Sequence, residues 1–334
     1  MKKIKFFILT FLLFLVSSCT ILNKTSRYPD ASKYHVLPVD GEYYDDSVKV
    51  IDLSWLKGDV NIISSNEYQS ITLYEQTSDN FSDKYLAHVW HDDKFLYVKY
   101  AMSNVSFPNR YQKSLTIYIP ENLLLEQLIV DSASSNITIS NVNFESINIK
   151  SISGSCQVSD TYTERLIYSS QSGNLSFKVG HETQYVAIDT KSGNSILSIP
   201  NNTLGFSLAY NSISGNINTD YPYVKENDKY VYLDASYFVV NYKSVSGSIT
   251  ILSYDSQTEP VERTSDDDSS EDISDETSEN ISDKNSEIIS ENISDSIIDS
   301  DETSEEFSES SSELYSIDFS LEVVSDSGSW GPLE

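Results

Sequence analysis

The chain has 334 residues and a formal net charge of −29 at pH 7, from 51 acidic and 22 basic side chains. Such an acidic chain, with no basic stripe along its sequence, is not expected to bind nucleic acid, because phosphate backbones select surfaces rich in Lys and Arg. Its two cysteines stand at positions 19 and 156. If the first is used for an anchor, no intramolecular disulfide can form, and the fold must depend on burial and backbone pairing.

Residues 1–18 have the organisation of an export signal peptide. Three lysines precede a run over residues 6–16 that is apolar except for Thr10 and too short to span a bilayer, and Ser17 and Ser18 precede Cys19. This order resembles the bacterial lipobox, which implies that the Cys19 thiol is acylated and that residues 19–43 form a lipidated N-terminus and linker. A plain signal peptide with a cysteine here by chance is the alternative.

A lipid at Cys19 predicts the location of the protein. It would be exported and anchored to the cell envelope, on the outer face of the cytoplasmic membrane or on the outer membrane of a cell with two membranes. Thr20 follows the anchor and is not the aspartate that signals retention, which favours the outer membrane in such a cell.

Residues 253–334 form an acidic tail of low complexity. From residue 255 onward there are 26 Asp and Glu against two basic residues, a net charge of −24, and serine recurs at almost every fourth position from 270 to 320. Such a segment has too little apolar area to offset its chain entropy, so we expect it to be disordered and extended. A weak or induced helix is the structural alternative. A solubilising stalk is the expected role, and weak binding of calcium or a basic partner is the alternative role.

The body, residues 44–252, contains a repeat. Ser-Gly pairs end at Gly154, Gly173, Gly193, Gly215 and Gly247, mostly about twenty residues apart. Ser134-Ser135 lies nineteen residues before the first pair, and Lys57-Gly58 is a more distant copy. We call position 58, 135, 154, 173, 193, 215 or 247 the centre of its unit and number the other positions from it.

Four positions around each centre carry apolar residues. Positions −7, −5, +2 and +4 are apolar or aromatic in 26 of 28 cases, against about 11 from the 39% hydrophobic content of the chain. The exceptions are Ser195 and Thr219. Each unit is therefore predicted to be two short strands with period-two alternation, joined at a corner where glycine permits close approach of the next backbone.

A unit of about twenty residues cannot bury its own apolar face, so neighbouring units must stack around a shared core. The predicted fold is all-β, a parallel β-solenoid (β-helix-like) of about 20-residue coils. A β-sandwich with regular turns is the alternative. Residues 44–127 are less regular and are interpreted as first coils or a cap. Extra residues between Gly215 and Gly247 are interpreted as a loop or hairpin inserted on one side of the solenoid.

The strand and Ser-Gly units resemble a known family. The opening Leu56–Ile62, the strand Leu115–Pro120 and the closing Val245–Ile251 are similar to the DUF4097 family of bacterial β-strand repeat proteins, catalogued as candidate adhesins. The resemblance covers about residues 44–252 and implies the repeat fold. It implies no catalytic residues, and some members are linked to envelope-stress loci. The glycine-free corner at Ser135 and the polar Ser195 depart from the pattern.

No catalytic, metal or cofactor site is predicted. Position −4 faces outward, and its two carboxylates, Asp131 and Asp189, would lie three coils apart, too far to act as an acid and base pair. His88 and His91 could contribute to a metal site, but the segment is more simply a hairpin turn. Cys156 occupies the inward +2 position, which predicts a buried thiol rather than a nucleophile.

The insertion provides the candidate contact surface. Tyr221, Tyr223, Tyr230 and Tyr232 could contact a surface glycan or an envelope protein, and the alternative is that they pack over the solenoid. The predicted function is a noncatalytic, envelope-anchored protein with an adhesin-like or scaffolding role. An envelope-stress or regulatory accessory that acts by protein contact is the second hypothesis. An enzyme acting on envelope polysaccharide is the third.

Overall fold

The computed structural model describes residues 24–78, 81–107, 111–226, 229–233 and 237–256. The predicted signal peptide, Cys19 and the acidic tail beyond residue 256 lie outside these residues. Two 3-10 helices, Ala31–Lys33 and Asp83–Tyr85, are the helical elements among the described residues, and the remaining elements are strands.

Twenty strands account for the regular structure of the described residues, and most of their pairings are parallel. They are β1 (His35–Val36), β2 (Glu42–Tyr44), β3 (Val50–Ser65), β4 (Ile71–Thr77), β5 (His88–Asp92), β6 (Phe95–Lys99), β7 (Lys113–Pro120), β8 (Leu124–Ser140), β9 (Asn143–Ser153), β10 (Ser155–Ser159), β11 (Arg165–Ser170), β12 (Asn174–Lys178), β13 (Tyr185–Thr190), β14 (Ser195–Pro200), β15 (Gly205–Ser212), β16 (Ile217–Thr219), β17 (Val224–Glu226), β18 (Lys229–Leu233), β19 (Val239–Ser244) and β20 (Ile249–Tyr254).

The strand register is the one that the sequence alignment predicts. Cys156 pairs with Ile137 on one side and with Leu175 on the other, and the remaining +2 residues continue the same row through the stack. The −7 and −5 positions of successive units pair in the same way. These residues point into one hydrophobic cluster, so each unit supplies a layer of a shared core.

The order of the units in space differs from their order in the chain. Strands β19 and β20, from the unit of Gly247, lie between β13–β14 and β15–β16. The unit of Gly215 is therefore the terminal layer, although it comes earlier in the sequence. Period-two alternation makes every unit a compatible neighbour of every other, so it does not determine this order.

The inserted residues between Gly215 and Gly247 form a hairpin at the end of the stack, not on its side. Strand β18 pairs antiparallel with β15, and β17 pairs antiparallel with β18. This position follows from the inserted order of the units, because β15 is then an edge strand that the hairpin can cover.

The irregular N-terminal part contains both a parallel layer and a cap. The first half of β3 pairs in parallel with β6, and its second half pairs with β7. Beyond that layer, β5 and β4 run antiparallel to β6 and β7, and the short β1 and β2 cover their outer edges. The antiparallel strands end the repeat on this side.

The corners stack closely enough to require glycine. A Cβ on Gly193 would overlap the carbonyl oxygen of Gly173, and the same overlap occurs between Gly247 and Gly193 and between Gly215 and Gly247. Gly58 and Gly154 also have positive φ, at 93° and 104°. Ser135, in contrast, does not have a positive φ, so its backbone accepts a side chain at this corner.

Candidate functional surfaces

The outward row at position −4 alternates in charge along the stack. Asp131 pairs with Lys150, which pairs with Ser169, which pairs with Asp189. The two carboxylates are therefore three layers apart, about 14 Å at the usual strand spacing. Asp189 instead lies beside Lys243 of the inserted unit, with 3.6 Å between Oδ2 and Nζ. Both side chains are well exposed, so this pair contributes little to stability.

A second outward row, at position +1, forms a ladder of polar contacts. Side-chain oxygens in this row accept hydrogen bonds of 2.9–3.1 Å from the same row of the adjacent unit. The donor is a side chain from Asn136 to Asp59 and from Ser155 to Asn136, and a backbone N–H from Asn194 to Asn174, from Ser248 to Asn194 and from Asn216 to Ser248. The ladder fixes the polar side chains of this row in one arrangement.

Position −3 carries a capping residue that the sequence analysis did not identify. Ser170, Thr190, Ser212 and Ser244 each accept a hydrogen bond from the backbone N–H of the glycine three residues later, at 2.6–2.9 Å. The sequence contains a signal for this cap, because every unit from Ser132 onward has serine or threonine at position −3. The bond satisfies a backbone donor where the chain turns and cannot pair.

The four tyrosines of the insertion cover the terminal layer. Tyr221 is 6% exposed and donates its hydroxyl to the carbonyl oxygens of Ile199 and Pro200. Tyr230 and Tyr232 are half-buried against the core. Tyr223 is 51% exposed and stacks edge-on against Tyr230 at 5.0 Å. Of the four, Tyr223 is therefore the residue with substantial surface for a partner.

A groove of about 280 Å³ lies where the N-terminal residues meet the first parallel layers. Tyr28, Trp55, Lys99 and Asp131 are among its lining residues. The ammonium of Lys99 already donates to Asp52 and to Ser54, at 3.0 and 2.9 Å. Its charge is satisfied within the protein, so the groove contains no uncompensated lysine for a ligand.

Cys156 lies in the core as its inward position predicts, whereas His88 and His91 lie on strand β5 and not in the hairpin turn, which is at Asp93 and Lys94. His88 and His91 belong to β5 of the β5–β6 hairpin and, three residues apart on a strand, point to opposite faces. Burial lowers the pKa of His88. Cys156 is buried, and burial raises the pKa of its thiol to about 12. Among the described residues no three His, Cys, Asp or Glu side chains are grouped as metal ligands.

One ionic site was not predicted at all. Lys113 and Glu75, on the paired strands β7 and β4, form a buried ion pair, and the lysine ammonium also lies over the rings of Trp55 and Tyr100. Lys113 directly precedes the apolar alternation of β7 in the irregular N-terminal region, where no repeat position marks it. Desolvation lowers the pKa of Lys113 to about 8.

No helix among the described residues is long and apolar enough to cross a membrane. The fold and its outward rows define a β-strand repeat protein: two-strand units in parallel register, with a shared apolar core and polar outer rows. The chain belongs to the Toastrack DUF4097 family, whose model matches residues 48–287. This confirms the family resemblance drawn from the Ser-Gly units.

Two solved structures are similar to this chain. One is a candidate cell adhesion protein from Clostridium sporogenes, 15% identical, with a TM-score of 0.41, covering 64% of this chain and 99% of that one. The other is a candidate adhesin from Bacteroides fragilis, 11% identical, with a TM-score of 0.29, covering 64% of this chain and 96% of that one. No curated protein matches the chain.

Proposed function

We propose that this protein is a noncatalytic, lipid-anchored β-solenoid of the cell envelope that holds a rigid polar surface against another macromolecule, in an adhesin-like or scaffolding role. The observation that carries the proposal is the parallel register. It places every repeat position in a continuous row, so that apolar rows form the core and polar rows form an extended, ordered outer surface.

The outer rows support binding more than chemistry. In the −4 row each charged side chain lies beside a polar side chain or one of opposite charge. In the +1 row the polar groups bond to one another. An acid and base pair of carboxylates needs the two groups close together on one face, and the two carboxylates of the −4 row lie three layers apart. A preorganised polar surface, in contrast, loses little side-chain entropy when a partner binds.

The end of the stack near the hairpin is the proposed contact region. Tyr223 and Val224 are 51% and 63% exposed there. Exposed aromatic and apolar side chains next to polar rows are typical of protein and glycan contact sites. The partner is therefore proposed to be a surface glycan or an envelope protein.

The test is a glycan and protein array probed with the protein and two matched variants. Tyr223→Ser/Val224→Ser changes the hairpin, and Tyr43→Ser/Val39→Ser makes the same change in exposed residues of the N-terminal region. We expect binding to be lost only in the hairpin variant, Tyr223→Ser/Val224→Ser. Both variants should unfold at the same denaturant concentration as the wild type. Equal binding by the wild type and the first variant would exclude the hairpin as the contact region.

The anchor is tested separately. Cys19→Ser should abolish the incorporation of labelled palmitate and release the protein from the membrane fraction. Incorporation that persists in this variant would exclude Cys19 as the lipid site.

An accessory role in envelope stress is the second candidate, because some members of the family are linked to envelope-stress loci. Cross-linking in intact cells, followed by recovery of a membrane sensor with the wild type, would favour it over adhesion. An enzyme on envelope polysaccharide is the third, and release of reducing ends from a glycan panel would establish it.

A further inference from the structure

The edge of the stack formed by the corners has a distinct composition. We call positions −2 to +1 of the seven units the corner edge. Across its 28 positions the corner edge carries three charged residues, Lys57, Asp59 and Lys191, in a chain of net charge −29. The remaining positions are apolar, glycine, serine, asparagine or glutamine. The net charge of this edge is +1, so a negatively charged membrane surface does not repel it.

Exposed apolar side chains lie along the same edge. Ile152, Val245 and Ile213, all at position −2, are 42%, 49% and 82% exposed. They belong to different units, so the register places them in one row along the stack. The loop that replaces the corner between β6 and β7 adds Met102, which is 49% exposed. Gln171 and Lys191 stand between Ile152 and Val245 in this row. Exposed apolar side chains together with lysine are typical of a surface that rests at an anionic membrane interface.

The N-terminal linker leaves the body at this edge. Thr25 donates a backbone hydrogen bond to Val105 O at 2.9 Å and a hydroxyl hydrogen bond to Met102 O at 2.7 Å. The hydroxyl of Tyr28 donates to Ala101 O at 3.2 Å. Ala101 is itself part of the core, so these bonds fix residues 25–28 to the body.

The length of the tether then limits the position of the bilayer. Four residues, 20–23, separate Cys19 from Lys24, the first described residue, and the five Cα-to-Cα steps between them span at most about 18 Å when fully extended. Met102 must therefore lie near the membrane that holds the lipid. From the β6–β7 layer to the β15–β16 layer there are seven strand-to-strand steps, about 34 Å at the usual spacing.

We propose that the corner edge lies along the headgroup region of the bilayer that holds the lipid of Cys19. The lipid then contacts Met102, Ile152, Val245 and Ile213. The outer faces of the strands before and after the corners turn away from it. This inference rests on the lipid anchor of the proposed function. It leaves the outer faces of the strands, the hairpin end of the stack and the edge opposite the corners available to a partner.

The experiment uses the full lipoprotein in phosphatidylcholine and phosphatidylglycerol liposomes. In a Cys156→Ala background, a single cysteine replaces Met102, Ile152 or Ile213 and is labelled with a fluorophore. Leu204→Cys is the matched control, because Leu204 is 38% exposed in the connection between β14 and β15, opposite the corners. Quenching by a lipid with a quencher in its headgroup reports proximity to the bilayer. We expect strong quenching at the three corner positions and at least several-fold less at position 204.

Two quenching patterns would overturn the proposal. Quenching at 102 that declines through 152 to 213 would show a body that stands on its N-terminal end. Equal quenching at 204 and 213 would show no preferred edge. Liposome flotation of the same samples separates the anchor from the edge: a protein that fails to float has no lipid anchor, which overturns the proposed anchoring together with this inference.

A further variant tests the apolar residues themselves. The triple variant Ile152→Ser/Val245→Ser/Ile213→Ser should float with liposomes as the wild type does. In this variant a fluorophore at Met102→Cys should stay quenched, whereas a fluorophore at Ser172→Cys on the same edge should lose quenching. Unchanged quenching at 172 would contradict a role for the three apolar side chains.

Discussion

Lys113 Nζ lies 2.5 Å from Glu75 Oε1, and the two side chains are 0% and 5% exposed. The second carboxylate oxygen of Glu75 accepts a hydrogen bond from the backbone N–H of Ala87 at 2.8 Å, and Lys113 also donates to the carbonyl oxygens of Tyr85 and Tyr100. The pair thus joins the antiparallel cap to the loop that follows β6. Buried charges are tolerated only when they are paired and hydrogen-bonded in this way.

Lys113→Met is expected to destabilise the protein by about 3–5 kcal/mol, because it leaves the Glu75 carboxylate buried without its partner. Lys113→Met/Glu75→Gln should recover much of that loss. The measurement is the midpoint of urea unfolding. Lys94→Met at the exposed pair with Glu126 is the control and should cost less than about 1 kcal/mol. Equal effects of the two lysine substitutions would mean that Lys113 is not in a buried pair.

The same pair predicts a pH dependence. Burial holds the pKa of Lys113 near 8, below the 10.5 of an unperturbed lysine, so the unfolded chain binds more protons than the folded chain between pH 8 and 10.5. The free energy of unfolding must therefore rise with pH over this interval. We expect the stability difference between wild type and Lys113→Met/Glu75→Gln to widen from pH 8 to pH 10. A difference that stays constant would mean that Lys113 titrates normally.

The repeat could be predicted because its signal is local. At the inward positions of a strand, apolar residues alternate with period two, so rows such as Ile137, Cys156 and Leu175 are visible in the sequence and are found in register. The stacking order could not be predicted. All units present the same inward pattern, and only the 32-residue spacing between Gly215 and Gly247 distinguished the last unit.

The N-terminal cap could not be derived for a different reason. Strands β4 and β5 pair antiparallel with β7 and β6 across loops that have no repeat, so their partners depend on long-range packing. The buried Lys113 illustrates this, because its partner Glu75 lies 38 positions earlier in the chain. The predicted contact tyrosines show the same limit, since only the placement of the hairpin separates the buried Tyr221 from the exposed Tyr223.

Gly193→Ala is expected to cost about 1–3 kcal/mol, because the new Cβ would overlap the carbonyl oxygen of Gly173 and force the corners of adjacent units apart. Gly180→Ala is the matched control. A Cβ there would meet the side-chain carboxylate of Glu182, which can rotate, and the expected cost is below about 1 kcal/mol. Denaturant unfolding of both variants measures the difference. Similar midpoints would mean that the corner spacing is not limiting.

The thiol of Cys156 is expected to be unreactive in the folded protein. It is buried, and its pKa is raised to about 12 by burial, so the thiolate that reacts with disulfide reagents is scarce at pH 8. An aromatic disulfide reagent should modify it only at denaturant concentrations where the protein unfolds. A cysteine introduced at the exposed Ile213 should react without denaturant. Modification of both thiols at the same rate would mean that the core opens readily.

Ser195 is expected to limit the stability of the core. It occupies the +2 row between Leu175 and Ile249 and is 1% exposed, and its hydroxyl has no hydrogen-bond partner. Burying an unpaired hydroxyl costs free energy that an alanine avoids. Ser195→Ala should therefore raise the free energy of unfolding by about 1 kcal/mol. Ser176→Ala is the control, because Ser176 follows Leu175 on the neighbouring strand β12 and points outward; it should leave the free energy of unfolding unchanged. Destabilisation by Ser195→Ala would show instead that the Ser195 hydroxyl is hydrogen-bonded.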